Sequence, residues 1–286
     1  MKNKIILILN FVVTIQNYCA VGGLDTTFNP SGTNTGTPGT VITAPSVFGA
    51  TNQALALAIA LQSNGKIVAG GFANNFPKKF AISVYNTDGS LDTTFNGTGT
   101  VLNSFVVQLN GLAIQNDNKI VGVGSPSSVN GGFGIARYNT NGTLDTTFNG
   151  TGMLITNFSS SFGPTSNTVA NAVVIQPSDQ KIVVAGTLST TSPTLHQFLI
   201  ARYTTAGSLD TSFNGTGFIN ITPSTFGSFT RAEVKAVSLQ SDGERYDVGT
   251  PQNWLRATVE LDKRQQFKNN NLNYKISKSI EALDSF

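Results

Sequence analysis

Short runs of alternating apolar and polar positions, separated by turns rich in Asn, Asp and Gly, follow one another in the same order several times along the chain. Leu55-Ala-Leu-Ala-Ile-Ala-Leu61, Leu112-Ala-Ile-Gln115 and Ala172-Val-Val-Ile-Gln176 each open a unit. A turn follows, at Ser63-Asn-Gly65, Asn116-Asp-Asn118 and Pro177-Ser-Asp-Gln180, and then Lys-Ile-Val at Lys66, Lys119 and Lys181 with a glycine soon after. Two β-prone runs around such a turn predict a hairpin. Beyond a variable polar stretch come Phe80-Ala-Ile-Ser-Val-Tyr85, Phe133-Gly-Ile-Ala-Arg-Tyr138 and Phe198-Leu-Ile-Ala-Arg-Tyr203, whose period of two predicts a third strand. A second turn, at Gly89, Gly142 and Gly207, leads into Leu-Asp-Thr-Thr(Ser)-Phe-Asn-Gly-Thr-Gly and an apolar residue, read as a fourth strand or an extended turn.

The Leu-Asp-Thr string starts at Leu24, Leu91, Leu144 and Leu209, a recurrence of about 60 residues that marks one structural unit copied in tandem. The expected fold is therefore mostly β. Three full four-stranded, blade-like units run from Ala54 to Gly99, Leu112 to Gly152 and Ala170 to Gly217. A leading piece, Leu24 to Val41, supplies only a last strand, and a trailing piece, Ala232 to Gly243, only a first strand. The count falls short of a closed ring, so the array is an incomplete or open propeller.

Within this frame Phe95, Phe148 and Phe213 are expected as core between units, with Phe28 in the incomplete leading piece contributing much less. Asp92, Asp145 and Asp210 are expected to accept N–H bonds within their turns. One carboxylate per unit is too few oxygens for a calcium site. Arg137 and Arg202 stand near Asp145 and Asp210 and are expected as exposed ion pairs adding ~0–1 kcal/mol each. Tyr85, Tyr138 and Tyr203 read as structural, with stacking on a sugar ring as the competing reading. Asn96, Asn149 and Asn214 match glycosylation sequons because the turn recurs.

The first residues add a destination. Met1-Lys-Asn-Lys4 is positive, Ile5 to Ile15 is apolar apart from Asn10 and Thr14, and Ala20-Val-Gly22 fits a small-x-small cleavage site. Residues 1–22 are expected to be a signal peptide, giving a protein secreted to the periplasm or exterior, or held at the cell surface. A lipoprotein box at Cys19 is disfavoured by the bulky Tyr18 before it, and an N-terminal strand is the structural alternative. The mature chain would lack cysteine and any permanent membrane span. The lone histidine, His196, reads as a surface loop residue. A formal charge of +3, with basic residues scattered, leaves no nucleic-acid footprint.

The Leu-Asp-Thr-Thr-Phe-Asn-Gly-Thr-Gly and Leu-Gln-Ser-Asn-Gly-Lys-Ile-Val strings resemble the delta-60 repeat family of bacterial surface or secreted proteins, over residues 23–243. The resemblance implies a propeller-like β architecture and carries no catalytic residues. After Gly243 charged residues become several-fold denser, which marks a boundary. Thr250 and Pro251 suit a helix start, Trp254 to Leu261 offers an apolar face, and Ile276, Ile280 and Leu283 suggest a second helix. A short helical tail, 244–286, is expected. Its Tyr246-Asp-Val-Gly-Thr-Pro251 and Trp254-Leu-Arg-Ala257 segments resemble the C-terminal part of UTP–glucose-1-phosphate uridylyltransferases. That resemblance implies Mg²⁺ as cofactor, with Asp247 among its ligands and Gly249 allowing the close turn. The glycine-rich nucleotide loop of such enzymes does not occur here, so the expectation is an inactive fragment or fusion with no catalytic residues. The leading reading is a non-enzymatic β-repeat protein whose partner is a protein or glycan at the cell surface.

Overall fold

The computed structural model describes residues 4–8, 12–16, 24–30, 37–49, 53–73, 78–103, 108–126, 131–163, 166–191, 194–222, 232–240 and 254–261. The fold is mostly β, in propeller-type repeats. In chain order the strands are β1 (Lys4–Ile8), β2 (Val12–Gln16), β3 (Thr40–Val41), β4 (Ala54–Leu61), β5 (Ile67–Ala73), β6 (Lys79–Tyr85), β7 (Thr100–Asn103), β8 (Gln108–Ile114) and β9 (Ile120–Ser125). They continue as β10 (Gly131–Tyr138), β11 (Met153–Thr156), β12 (Asn167–Ile175), β13 (Ile182–Thr191), β14 (Thr194–Tyr203), β15 (Phe218–Ile221), β16 (Ala232–Gln240) and β17 (Trp254–Leu261). The Leu-Asp-Thr-Thr-Phe-Asn-Gly string is a turn, and the fourth strand of each repeat begins only after it, at Thr100, Met153 and Phe218.

The chain divides into two compact units. The first holds residues up to Gly122 together with Arg137–Asp145. In it β4, β5, β6 and β7 form an antiparallel meander, and β8 lies against the face of β4, β5 and β6. The second unit holds Val123–Ala136 and everything from Thr146. There β12, β13, β14 and β15 form the same meander, β10 pairs with β11, and β16 lies against β12, β13 and β14. In each unit, then, the first strand of one repeat covers the sheet of the repeat before it. That is how a four-stranded sheet with two apolar faces buries both.

The glycine five residues after the Lys of Lys-Ile-Val has a specific cause in the first and third repeats. The first strand of a repeat carries a β-bulge, between Ala56 and Ala58 in β4 and between Ala170 and Ala172 in β12. Gly71 pairs with Ala56, and Gly186 with Ala170, directly at the bulge. The bulged backbone leans inward, so a Cβ on Gly71 would lie 1.8 Å from the Leu55 carbonyl oxygen, and one on Gly186 would lie 2.0 Å from that of Val169. Glycine is the residue that lets two backbones approach this closely.

Successive repeats are latched at their turns. The Asn after each repeated Phe sits in the left-handed region, at φ 50–51° for Asn29, Asn96, Asn149 and Asn214. The first three donate their backbone N–H to the turn of the next repeat: Asn29 to the Asp88 carbonyl (2.7 Å), Asn96 to that of Asn141 (2.8 Å) and Asn149 to that of Ala206 (2.8 Å). The Phe before the latch packs beside the glycine of that turn, since a Cβ on Gly89 would touch the Phe28 ring and one on Gly207 the Phe148 ring, each at 3.1 Å.

This arrangement corrects the expectation for Phe28. Its ring is only 2% exposed, against 1% for Phe95 and 0% for Phe148, and it sits in a core cluster with Val41, Ile67, Ala69 and Tyr85. Phe213 is the half-buried one. What buries each Phe is the following repeat, and the leading piece has a following repeat.

Two further expectations meet the structure at the chain ends. Trp254–Leu261 is a β-strand, not a helix, and pairs antiparallel with β16 from Ala232↔Leu261 to Gln240↔Trp254. Its sequence alternates apolar Leu255, Ala257, Val259 and Leu261 with Arg256, Thr258 and Glu260, a period of two that serves a strand when an edge is available. At the other end Lys4–Ile8 and Val12–Gln16 form a hairpin whose second strand pairs with β3, Val13↔Val41 and Thr14↔Thr40. β2 stands to β3 as β6 stands to β7, where Ile82 pairs with Val101 and Ser83 with Thr100. The cleavage site at residues 20–22, Cys19, the turn from Tyr246 to Pro251 with Asp247 and Gly249, and the second helix around Ile276, Ile280 and Leu283 lie outside the described residues.

Candidate functional site

The chemistry-bearing side chains of the repeats converge on one recurring cluster, centred on the Asp of Leu-Asp-Thr. In the first repeat Lys66 Nζ lies 2.6 Å from Asp92 Oδ2, and Asp92 Oδ1 accepts from the Thr94 hydroxyl (2.6 Å) and backbone N–H (3.2 Å). In the second, Lys119 Nζ (3.1 Å) and Arg137 Nε (2.8 Å) share Asp145 Oδ2. In the third, Lys181 Nζ (3.0 Å) and Arg202 Nε (2.7 Å) share Asp210 Oδ2, while Ser212 donates to Oδ1 (2.7 Å). The first repeat has Val84 where the others have arginine.

The turn role expected for the aspartates is what Asp92 and Asp210 show. The expected exposed ion pairs are different in kind. The Asp side chains are 4–8% exposed, and Arg137 is 5% exposed. Lys-Ile-Val brings the lysine, and Arg-Tyr the arginine, beneath the Leu-Asp-Thr turn, which closes over them. The Arg137–Asp145 pair, buried on both sides, is costly to break singly, by ~3–5 kcal/mol, because the remaining charge stays out of water, whereas the lysine partners keep more than a quarter of their side chains exposed. The lysine partners were missed in the sequence. The recurrence of Lys before Ile-Val, at a place where an apolar strand needs no charge, is the signal that points to them.

Burial would by itself raise the Asp210 carboxyl, but the hydrogen bonds from Ser212 and Lys181 and the charge of Arg202 outweigh it and hold it at about 2, below its ordinary 3.8. Asp92 is likewise lowered, against the effect of burial, by the bonds from Lys66 and Thr94. Burial opposes the charge on Lys119, yet its bonds to Asp145 and Asp117 raise it above the ordinary lysine range. Lys181 is raised mainly by its bond to Asp210. A carboxyl lowered on folding contributes stability that is fully present above its unfolded value and lost as pH falls through the folded one. For Asp210 this amounts to about 2 kcal/mol, lost between pH ~4 and pH ~2. Urea midpoints measured across that range should fall steeply for the natural chain and more shallowly for Asp210→Asn. Parallel curves would remove the assignment.

The tyrosines are closed to ligands. Tyr85, Tyr138 and Tyr203 are 3%, 1% and 0% exposed. Each hydroxyl reaches the preceding repeat, in or just beyond its closing strand: Tyr85 bonds the Thr43 hydroxyl, Tyr138 accepts from Asn103 (3.2 Å) and Tyr203 donates to Thr156 (2.9 Å). Burial raises all three phenols, that of Tyr138 to about 12. Stacking on a sugar ring is therefore unavailable to them, and the structural reading holds. The sequon asparagines are also engaged, with Nδ2 of Asn96, Asn149 and Asn214 donating to the carbonyls of Thr100 (2.8 Å), Met153 (2.8 Å) and Phe218 (3.1 Å).

His196 is not in a loop. It lies in β14, half-buried, opposite Ser189 of β13, with Nδ1 2.9 Å from the serine hydroxyl. Its neighbours Leu195, Gln197 and Leu199 alternate, and this carries the hairpin further than the polar stretch before it suggested. Among the described residues no three His, Cys, Asp or Glu side chains group as a metal site. No helix of the described residues is long and apolar enough to cross a membrane. Asp247, the candidate Mg²⁺ ligand, lies outside the described residues.

A family model described as a domain of unknown function, DUF5122 beta-propeller, matches residues 62–95, 115–148 and 178–213. Residues 62–213 are a tandem DUF5122 beta-propeller repeat domain. Each match runs from the first hairpin turn to the recurring Phe, so it spans both halves of the Lys–Asp cluster. The matches end before the tail. No curated protein matches the chain.

Proposed function

We propose that the chain is an exported, non-enzymatic repeat protein that engages a protein or glycan at the cell surface. The observation that carries this reading is the closure of the recurring polar groups upon one another. Lys, Asp and Arg are occupied in closing each repeat on itself, as the cluster of Asp210 shows, and Tyr and Asn in joining one repeat to the next. The connection between the second and third strands, at residues 74–78, 126–130 and 192–193, differs from repeat to repeat, as does the link from the fourth strand to the next repeat. Recurring strands that carry variable connections suit recognition.

Export rests on Lys2, Lys4 and the apolar run to Ile15. A segment engaged by a translocation machinery is not at the same time paired with β3, so cleavage precedes folding in this reading. Protein recovered outside the cytoplasm should have its N-terminus near Gly23 by mass spectrometry; recovery with Met1 intact would sink the export reading. The tail resemblance offers uridylyl transfer as the competing activity. Transfer would need Mg²⁺ bridging phosphate oxygens and donors that neutralise the triphosphate, and Asp92, Asp145 and Asp210 are already committed to lysine and arginine. Purified protein should form no UDP-glucose from UTP and glucose-1-phosphate. Formation that vanishes in Asp247→Ala would replace this proposal with the transferase.

A further inference from the structure

We infer that Asn64 is a site of spontaneous conversion to aspartate, which completes in the first repeat an acidic position that the second and third repeats encode directly. The position is two residues before the Lys of Lys-Ile-Val. It holds Asn64, Asp117 and Asp179 in the three repeats. The local geometry is the same in each: the backbone N–H of the lysine donates to Oδ1, at 3.1 Å for Asn64 and 3.2 Å for Asp117 and Asp179. In the second and third repeats the other carboxylate oxygen meets the lysine ammonium, Asp117 Oδ2 at 3.2 Å from Lys119 and Asp179 Oδ2 at 3.3 Å from Lys181. In the first repeat Asn64 has a carboxamide nitrogen, a donor, where Asp117 and Asp179 have their second carboxylate oxygen, and Lys66 pairs with Asp92 alone among the carboxylates of the described residues.

Asn64 is followed by Gly65, which leaves the next peptide nitrogen unshielded by a side chain. The reaction needs only water. The Gly65 nitrogen loses its proton and attacks Cγ of Asn64, the Cγ–Nδ2 bond breaks, and ammonia leaves with that proton. Water then opens the five-membered imide at one carbonyl or the other, giving aspartate or isoaspartate. The net change is amide plus water to carboxylate plus ammonium, with nothing oxidised or reduced.

Among the described residues the fold selects Asn64 from the other Asn-Gly pairs; Asn130, which precedes Gly131, lies outside them. Asn96, Asn149 and Asn214 are held at both ends, with Nδ2 donating to a carbonyl four residues on and the backbone fixed at φ 50–51°. Asn141 has Oδ1 bonded by Thr143 (2.7 Å), its carbonyl clamped by Asn96, and a buried Gly142 whose Cβ position is 2.8 Å from the Asn96 nitrogen. Asn110 lies within β8. Asn64 and Gly65 are both exposed at a hairpin tip, and the one contact a Cβ on Gly65 would make is the methyl of Thr87 at 3.0 Å. Cyclisation swings the Asn–Gly peptide out of its resting orientation. At Asn64 that breaks one turn, and at the latch asparagines it breaks the junction between repeats.

The test is peptide mapping by mass spectrometry of the full chain, aged in mildly alkaline buffer, with a parallel sample in denaturant to give each site's intrinsic rate. Asn64 should gain the amide-to-acid mass increment within about threefold of its denatured rate, while Asn96, Asn141, Asn149 and Asn214 fall at least ~10-fold below theirs. Asn64→Gln should show no conversion at position 64 and the same protection elsewhere, and Asn64→Asp should retain the unfolding midpoint of the natural chain. Protection of Asn64 equal to that of the latch asparagines, or a latch asparagine converting as fast as Asn64, would overturn the inference, as would marked destabilisation by Asn64→Asp.

Discussion

Gly186→Ala should unfold the third repeat, although alanine is the smallest change available and Gly186 has an ordinary strand backbone. The added methyl would sit 2.0 Å from the Val169 carbonyl oxygen and 2.8 Å from the Phe133 ring. The ring could turn aside. The carbonyl cannot, because it belongs to the bulge between Ala170 and Ala172 that sets the register of β12 on β13. Removing the bulge to make room would shift every residue before it to the other face of the sheet. Overpacking a core costs ~1–3 kcal/mol when side chains can adjust, and here backbone must move, so the loss should lie at or above the top of that range. Gly150→Ala is the comparison. Gly150 has φ 72° but nothing within 4 Å of its Cβ position, so alanine there meets only the left-handed penalty of ~1–2 kcal/mol. Urea denaturation should rank Gly186→Ala well below Gly150→Ala in stability, and amide exchange should place the loss in β12 to β15. If the two variants were equally stable, the close approach at the bulge would not be what fixes this glycine.

Much of this was legible in the amino-acid pattern, and what was not has definite causes. The hairpins, the third strand with its Phe-x-Ile, and the recurring turn are local signals, written in spacing and turn residues. The glycine after Lys-Ile-Val was visible as a recurrence, but its reason lies in a carbonyl from another strand. Asp145 and Arg137 are eight residues apart and announce each other, whereas Lys66 and Asp92 are joined only when the Leu-Asp-Thr turn folds back over β5. The same closure buries the pair, which no count of charges shows. Trp254–Leu261 was read as a helix on its apolar face, but Leu255, Ala257, Val259 and Leu261 also fall on one side of a strand. Strand pairing with β16 decided it, and that is a tertiary fact.

Phe28 gives the sharpest case of direction along the chain, and with it the second large effect. Counting complete repeats makes Phe28 the least important of the four recurring phenylalanines. The structure makes Phe213 the least important, because each ring is closed over by the turn of the repeat that follows. Phe28 has that turn at Gly89 and Phe148 has it at Gly207, while Phe213 is partly open and has the Arg202 guanidinium 4.9 Å above its ring. Truncating a fully buried Phe to alanine costs ~3–5 kcal/mol through lost transfer energy and the cavity left behind. Phe28→Ala and Phe148→Ala should both fall in that range by chemical denaturation followed by circular dichroism. Phe213→Ala should lose clearly less, since part of its surface was never removed from water. Because repeats are stabilised by their neighbours, amide exchange in Phe28→Ala should rise first in β5 and β6, where Ile67 and Tyr85 share its cluster. A small effect at Phe28 together with a large one at Phe213 would mean that each phenylalanine is buried by the repeat before it, and the latch from Asn29 to Asp88 would then have been given the wrong polarity.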